Sequence, residues 1–186
     1  MGRWQPGTRD RLALAALELF TERGYEATTV ADIAARAGLT ERTFYRQYAD
    51  KREVLFGEPA AYNAVYTDAI AEAPADASPL DAVAAALRAT GPFFEGRHAY
   101  ARQRNAIINA NPALQEREQV KRLHLTDAIA AALRERGATD ATAALTAELC
   151  TAAFHQAFAR WVACDEESDL GELAVAVLDE LRAAAA

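Results

Sequence analysis

Arg42 and Arg46 stand four residues apart within the stretch TTVADIAARAGLTERTFYRQYADKREVLF, residues 28–56. On a helix that spacing turns both guanidiniums to one face. A guanidinium carries a fork of N–H donors that matches the O6 and N7 acceptors of guanine. The elements that would present the two arginines are legible around them. Val30, Ile33, Ala34 and Ala37 follow the i, i+3, i+4, i+7 pattern of one buried helical face. Thr29 with Asp32 starts that helix as a capping box, and Gly38 can take a positive φ and stop it. Thr40 caps the next helix, whose Phe44 and Tyr48 can pack on the first while Arg42 and Arg46 point away. Two short helices with one apolar seam and a free basic face predict a helix-turn-helix, able to lay its second helix in a DNA major groove. A helix–glycine–helix of this spacing also occurs in ordinary helical bundles, so more of the pattern has to be weighed.

That wider pattern resembles the DNA-binding domain of the TetR family of transcriptional repressors. Gly38, Leu39, Thr40, Thr43, Phe44, Tyr45, Tyr48, Lys51 and Val54-Leu55 occupy the family's places, and the run from Gly24 to Ala34 fits G-[YF]-x-x-[TS]-[TS]-[VI]-x-x-I-A. The resemblance implies that Thr40, Glu41, Arg42 and Thr43 face base edges or adjacent phosphates. It implies that Tyr45, Lys51 and the hydroxyl and helix N-terminus at Thr28-Thr29 hold phosphates, groups suited to that chemistry. Glu41 departs from the basic or small residue frequent there; it can accept from cytosine N4 or pair with a neighbour. Tyr48 reads as core. Arg3 and Trp4 read as a minor-groove arm or as a loose terminus. By this resemblance the chain is expected to be a homodimer on double-stranded operator DNA, with a small-molecule effector.

Composition supports a helical chain. Hydrophobic residues make up 52% of 186, alanine is abundant and aromatics are 8%, with few β-branched runs and little strict alternation. No apolar run reaches the ~18 residues of a membrane span, and the start MGRWQPGTRD lacks the apolar stretch of a secretory signal; a cytoplasmic protein is expected. The net charge of −7 is unevenly placed: residues 1–52 hold nine basic and seven acidic residues, the remainder eleven and twenty. A mildly basic head on an acidic body turns the head toward phosphate. Cys150 and Cys164 would lie about 21 Å apart on one helix, beyond reach of a mutual disulfide, and read as buried thiols. Only three histidines occur, His98, His124 and His155, and no metal-ligand or nucleophile–base spacing joins them to other groups. Neither a cofactor nor an enzymatic activity is expected.

Along the chain the pattern predicts an all-α fold of about nine helices: a DNA-binding domain over 1–52, then a ligand-binding and dimerisation domain over 53–186. Gly57 and Pro59 predict a break in a fourth helix starting at Asp50. Ser78 caps a fifth with Pro79 at its first turn; Phe93–Ala110 hold a sixth; Asn111-Pro112 open a seventh, ending at Gly137. The eighth and ninth helices, Asp140–Cys164 and Asp169–Arg182, are expected to form the dimer seam. Their Ala143, Ala144, Ala147, Ala152, Ala174 and Ala176 permit close approach, with Leu145, Leu149, Val175 and Leu178 as knobs.

The body offers aromatics and polar groups from which an effector pocket is expected: Tyr62, Tyr66, Phe93, Tyr100, Asn105, Asn109, His124 and Phe158. Interrupted helices near Pro59 and Gly91-Pro92 leave gaps for a ligand. Phe154, Phe158 and Trp161 fit a core or a dimer seam as well as a pocket wall, and His124 fits a satisfied core position. The run from Arg102 to Arg122 resembles the mycofactocin-type regulators, which implies large apolar-tailed effectors such as acyl-coenzyme A thioesters. The rival to an effector-controlled repressor is a helix-turn-helix adaptor with no effector.

Overall fold

The computed structural model describes residues 7–164 and 168–184; Arg3 and Trp4 lie outside them. The described residues form α1 (Thr8–Arg23), α2 (Val30–Arg36), α3 (Glu41–Gln47), a 3-10 turn (Arg52–Leu55), α4 (Pro59–Glu72), α5 (Pro79–Arg88), α6 (Thr90–Phe94), α7 (His98–Asn109), α8 (Pro112–Glu135), α9 (Asp140–Ala163) and α10 (Leu170–Ala184). All are helical, one α-helix more than expected. The extra one arises where a single helix over 93–110 was expected. The chain closes the short α6 at Phe94, turns through Glu95-Gly96-Arg97 and restarts at His98. The expected fourth helix divides too. Asp50 Oδ1 accepts from the amides of Arg52 and Glu53 at 2.8 and 3.2 Å, but the turn is 3-10. Gly57 then takes φ +63°, a left-handed value costly for any L-residue, and α4 starts with Pro59 in its first turn.

The chain divides into two compact units: residues 1–57 with 103–118, and residues 58–102 with 119–186. The division therefore does not fall at one point near residue 52, and the first unit takes up a segment from the middle of the chain. In the first unit Leu12, Ala16, Leu19, Phe20, Ile33 and Phe44 are almost wholly buried. In the second, Tyr66, Ile70, Val83, Leu87, Ile129, Leu133, Trp161 and Leu178 form the core.

Alanine and glycine set the packing of the second unit. Ala143, Ala147, Ala153 and Ala157 are fully buried along α9, as are Ala174 and Leu178 on α10. A Cβ on Gly171 would meet the carbonyl oxygen of Arg88 at 2.5 Å, and one on Gly91 would meet Asp169 Oδ1 at 2.5 Å. Only glycine lets the start of α10 approach the end of α5 this closely. Four residues expected at a subunit seam, Ala143, Ala147, Ala174 and Leu178, are thus buried within one protomer. Leu145, Leu149, Ala144, Ala152 and Ala176 remain exposed, and Val175 is half-buried. The cysteines also differ from expectation: Cys150 is buried, its thiol pushed up to about 12 by desolvation, whereas Cys164 at the end of α9 is exposed. None of the described helices is long and apolar enough to cross a membrane.

Candidate nucleic-acid interface

The helix pair α2–α3 is built by local chemistry. Thr29 Oγ1 accepts from the Asp32 amide at 3.1 Å, while Asp32 Oδ2 accepts from the Thr29 amide at 2.9 Å and its hydroxyl at 2.6 Å. These bonds to Thr29 hold the Asp32 carboxyl below the usual range. Gly38, at φ +66°, donates to Ala35 O, and Leu39 donates to Ala34 O. The guanidinium of Arg11 caps the same end through Ala37 O. Thr40 Oγ1 accepts from the Thr43 amide at 3.2 Å and starts α3. Phe44 and Tyr48 then face inward, 0% and 4% exposed, with Tyr48 Oη donating to Arg9 O at 3.2 Å. The opposite face carries Glu41, Arg42, Tyr45 and Arg46 exposed and Thr43 half-buried.

The cations of this unit sort into two groups. Arg36 pairs with Glu18 at 3.1 Å and Glu22 at 2.8 Å, which lowers the Glu22 carboxyl and raises the guanidinium further. Arg52 pairs with Asp50 at 2.9 Å. Arg9 donates to Gln47 O and Gly57 O at 3.2 and 2.9 Å. The side chains of Arg42 and Arg46, by contrast, make no hydrogen bond or ion pair with any described residue, and neither does that of Glu41. The pairing expected as one reading of Glu41 is absent among the described residues. On a solvated helix face an isolated charge is ordinary. Here three lie on the exposed face of the second helix of a helix-turn-helix.

Two positions assigned to phosphate by resemblance turn inward instead. Thr28 is 1% exposed, and its hydroxyl donates to Gly24 O at 2.8 Å, closing the α1–α2 turn. Lys51 is half-buried: Nζ donates to Tyr25 O at 2.8 Å and Thr28 O at 3.0 Å, and lies 4.1 Å from the centroid of the Tyr25 ring. The reason is tertiary. The α1–α2 turn leaves carbonyls with no intrahelical donor, and the start of the 3-10 turn brings an ammonium to them.

A second cationic site was not legible in the sequence. Arg117 Nε and Nη2 grip Glu53 at 2.6 and 2.9 Å. Arg104 donates to Leu55 O and to Glu118, both at 2.6 Å. The guanidiniums of Arg104 and Arg117 lie 5.1 and 4.9 Å from the centroid of the Phe56 ring. This clasp holds residues 103–118 in the first unit. The local signal pointed elsewhere: Glu53 three residues after Asp50 reads as a capping partner, and its carboxylate pairs with Arg117 instead.

The eight residues expected to line a pocket do not gather in one place. Tyr62, Tyr66, Phe93 and Phe158 meet in the second unit, joined by Phe94, Phe154 and Trp161. Ring centroids lie between 5.1 and 6.4 Å apart, mostly edge to face as aromatic quadrupoles prefer. The Tyr62 and Tyr66 hydroxyls are 3.1 Å apart, and desolvation pushes the Tyr66 phenol up. Lys121 Nζ lies 4.3 Å from the Tyr62 ring centroid and the Arg97 guanidinium 4.7 Å from that of Phe93. Tyr100 is half-buried, and Asn105 and Asn109 belong to the first unit. Asn109 is exposed, its carbonyl accepting from Gln115 at 2.6 Å. His124 is exposed because α8 buries the register Leu125, Ile129, Leu133, which leaves the preceding position outside. A cleft of about 200 Å³ lies elsewhere, in the first unit, among Arg11, Leu14, Ala15, Glu18, Arg36 and Ala37.

Comparison with known proteins agrees with this architecture. Residues 13–57 match the family model of bacterial regulatory proteins, tetR family, and residues 77–186 match the model of the MftR C-terminal domain. The chain is 43% identical over 82 residues to the HTH-type transcriptional regulator TcmR of Streptomyces glaucescens, covering 44% of this chain and 36% of that protein. It is 31% identical over 115 residues to the putative mycofactocin biosynthesis transcriptional regulator MftR of Mycobacterium tuberculosis, covering 62% and 58%. The matched stretches thus span less than two thirds of either curated relative. Among solved structures, the regulator FadR of Bacillus subtilis in complex with stearoyl-CoA shares the fold with a TM-score of 0.64 at 20% identity, covering 92% of this chain and 96% of that one. The fatty acid degradation regulator FadR of Bacillus halodurans follows at 0.58 and 18%, covering 96% of each chain. With one model matched on its helix-turn-helix and another on most of its body, the chain belongs to the TetR family of bacterial regulatory proteins.

Proposed function

We propose that the chain is a homodimeric, cytoplasmic repressor that binds a palindromic operator and is released from it by a small, mostly apolar effector. One observation carries the DNA reading: Arg42 and Arg46 stand exposed on α3 and unpaired among the described residues, opposite the buried Phe44 and Tyr48. Arg42 donates two bonds to a guanine edge, Thr29, Thr40, Thr43, Tyr45 and Arg46 hold adjacent phosphates, and Glu41 accepts from cytosine N4. Two copies engage half-sites about 34–36 Å apart, one turn of the duplex. Selection from a randomised palindromic duplex library by the purified chain tests this. One enriched palindrome is expected, and a chain that enriches none overturns the reading.

Dimerisation is assigned to α9 and α10, the exposed part of α9 supporting it. Leu145 is 69% exposed and Leu149 38%, one turn apart and flanked by the exposed Ala144 and Ala152; small and apolar side chains together suit a helical seam. Leu145→Asp is expected to give monomers by light scattering and to abolish operator binding. A variant that stays dimeric rejects the seam. Leu178→Asp is a poor probe, since Leu178 is buried within the protomer.

The effector is assigned to the aromatic cluster of the second unit, with Arg97 and Lys121 placed to meet an anionic end. An amphiphile with an acyl tail fits that chemistry, and the structurally similar FadR of Bacillus subtilis was solved with stearoyl-CoA. A series of acyl-coenzyme A thioesters is expected to release the operator with a coupling of about 1–3 kcal/mol. The close edge-to-face packing of the rings favours the rival, an adaptor without effector. Failure of every thioester to bind or to release DNA would remove acyl-coenzyme A thioesters as the effector and count for that rival.

A further inference from the structure

We propose that Lys51 is a positioning residue for DNA binding, acting through the α1–α2 turn and not through contact with phosphate; the proposal rests on the DNA-binding reading above. An ammonium has three donors and no acceptor. Here two point at the carbonyls of Tyr25 and Thr28, at 2.8 and 3.0 Å, and the charge rests 4.1 Å from the centre of the Tyr25 ring. Two of the three donors are thereby committed, so a phosphate oxygen could take only the third without pulling the group off those partners. Thr28 itself is locked from the other side by its hydroxyl bond to Gly24 O, and the next residue, Thr29, is the cap of α2. Lys51 therefore fixes the point at which α2 begins. Through the α2–α3 seam it fixes the angle at which α3 presents Arg42. Charge on Lys51 matters because a charge-assisted bond to a carbonyl is stronger than a neutral one.

The two roles separate by salt. A cation on phosphate displaces counterions, so its removal lowers the slope of log affinity against log salt by about one unit. A positioning cation leaves the slope alone. The test uses the full chain and duplexes enriched from the randomised palindromic library, with affinity followed by fluorescence anisotropy over a salt series. Lys51→Met keeps the aliphatic stem over Tyr25 and removes the donors; it is expected to weaken binding roughly tenfold, the part of two lost charge-assisted bonds that reaches α3 through a turn that stays folded. The salt slope is expected to be unchanged, the loss equal for all enriched duplexes, and Lys51→Arg, which retains donors for both carbonyls, to restore most of the affinity. Circular dichroism at the assay temperature keeps a loss of fold separate. A slope that falls by a full unit in Lys51→Met puts the ammonium on phosphate and overturns the proposal. So does a variant that melts earlier yet binds as the parent does. If the parent chain enriches no duplex at all, the DNA-binding reading fails first, before any Lys51 variant is compared.

Discussion

Two regions of the first unit are rich in arginine and treat it in opposite ways. On the outer face of α3, Arg42 and Arg46 have no partner among the described residues. Around Phe56, Arg104 and Arg117 are paired with carboxylates, bound to a carbonyl and stacked on a ring. A guanidinium serves both, because it is permanently charged and weakly hydrated for a cation. Its surroundings decide whether it stabilises the fold or waits for a ligand. Where a paired cation is partly buried, removing it strands its partner. Where it is exposed and alone, removing it leaves the fold untouched and the cost falls on binding.

Four substitutions sharpen or break that contrast. The largest effect is expected for Arg117→Ala. Arg117 and Glu53 are 19% and 25% exposed, so the orphaned carboxylate should cost about 2 kcal/mol of stability, less than a fully buried pair. Urea denaturation checks it; a loss within error would show the clasp to be ornamental. Next comes Arg42→Ala, expected to leave the denaturation curve unchanged and to cost about 1–3 kcal/mol of binding at one base pair. Competition among single-base operator variants reads this, and a uniform loss across all variants would move Arg42 from base to phosphate. Glu41→Gln should exchange a preference for cytosine for one for adenine at one position, about 1 kcal/mol or more of discrimination, with little change in affinity for the best site. An unaltered enriched sequence would return Glu41 to a solvated role. Least is expected of Arg160→Ala. Its pair with Glu180 is tight, at 2.7 Å, but 48% and 56% exposed, so water screens it and no change in stability outside experimental error is expected. A larger loss would mean that pairing alone, without burial, suffices.

What the sequence revealed divides along the same line. Caps are local, and Thr29, Thr40, Ser78, Thr139 and Asp169 each accept from an amide two or three residues on, so helix starts could be read from neighbouring residues. The inward face of α3 was equally plain from Phe44 and Tyr48. Partners distant in the chain were hidden. Lys51 lies 26 residues from Tyr25 and Glu53 lies 64 from Arg117, and nothing in either neighbourhood marks the other. The pocket set failed for a related reason. Aromatics can be gathered by type, but the exposure of Asn109 and His124 depends on where α7 ends and on the register of α8. Leu178 was assigned to a seam because apolar periodicity does not say whether the facing helix belongs to the same copy.

The clasp at Phe56 also sets a timetable for biosynthesis. Some sixty residues separate Phe56 from Arg117, so at ~5–20 residues per second roughly 3–12 s of translation pass between them. During that interval the nascent helix-turn-helix carries Phe56 and Glu53 without the segment that covers them. For the same reason the module that recombination or a designer could transplant is discontinuous. Residues 1–57 grafted onto another body bring the reading helix but leave its anchor behind, unless the recipient supplies two arginines where Arg104 and Arg117 stand here.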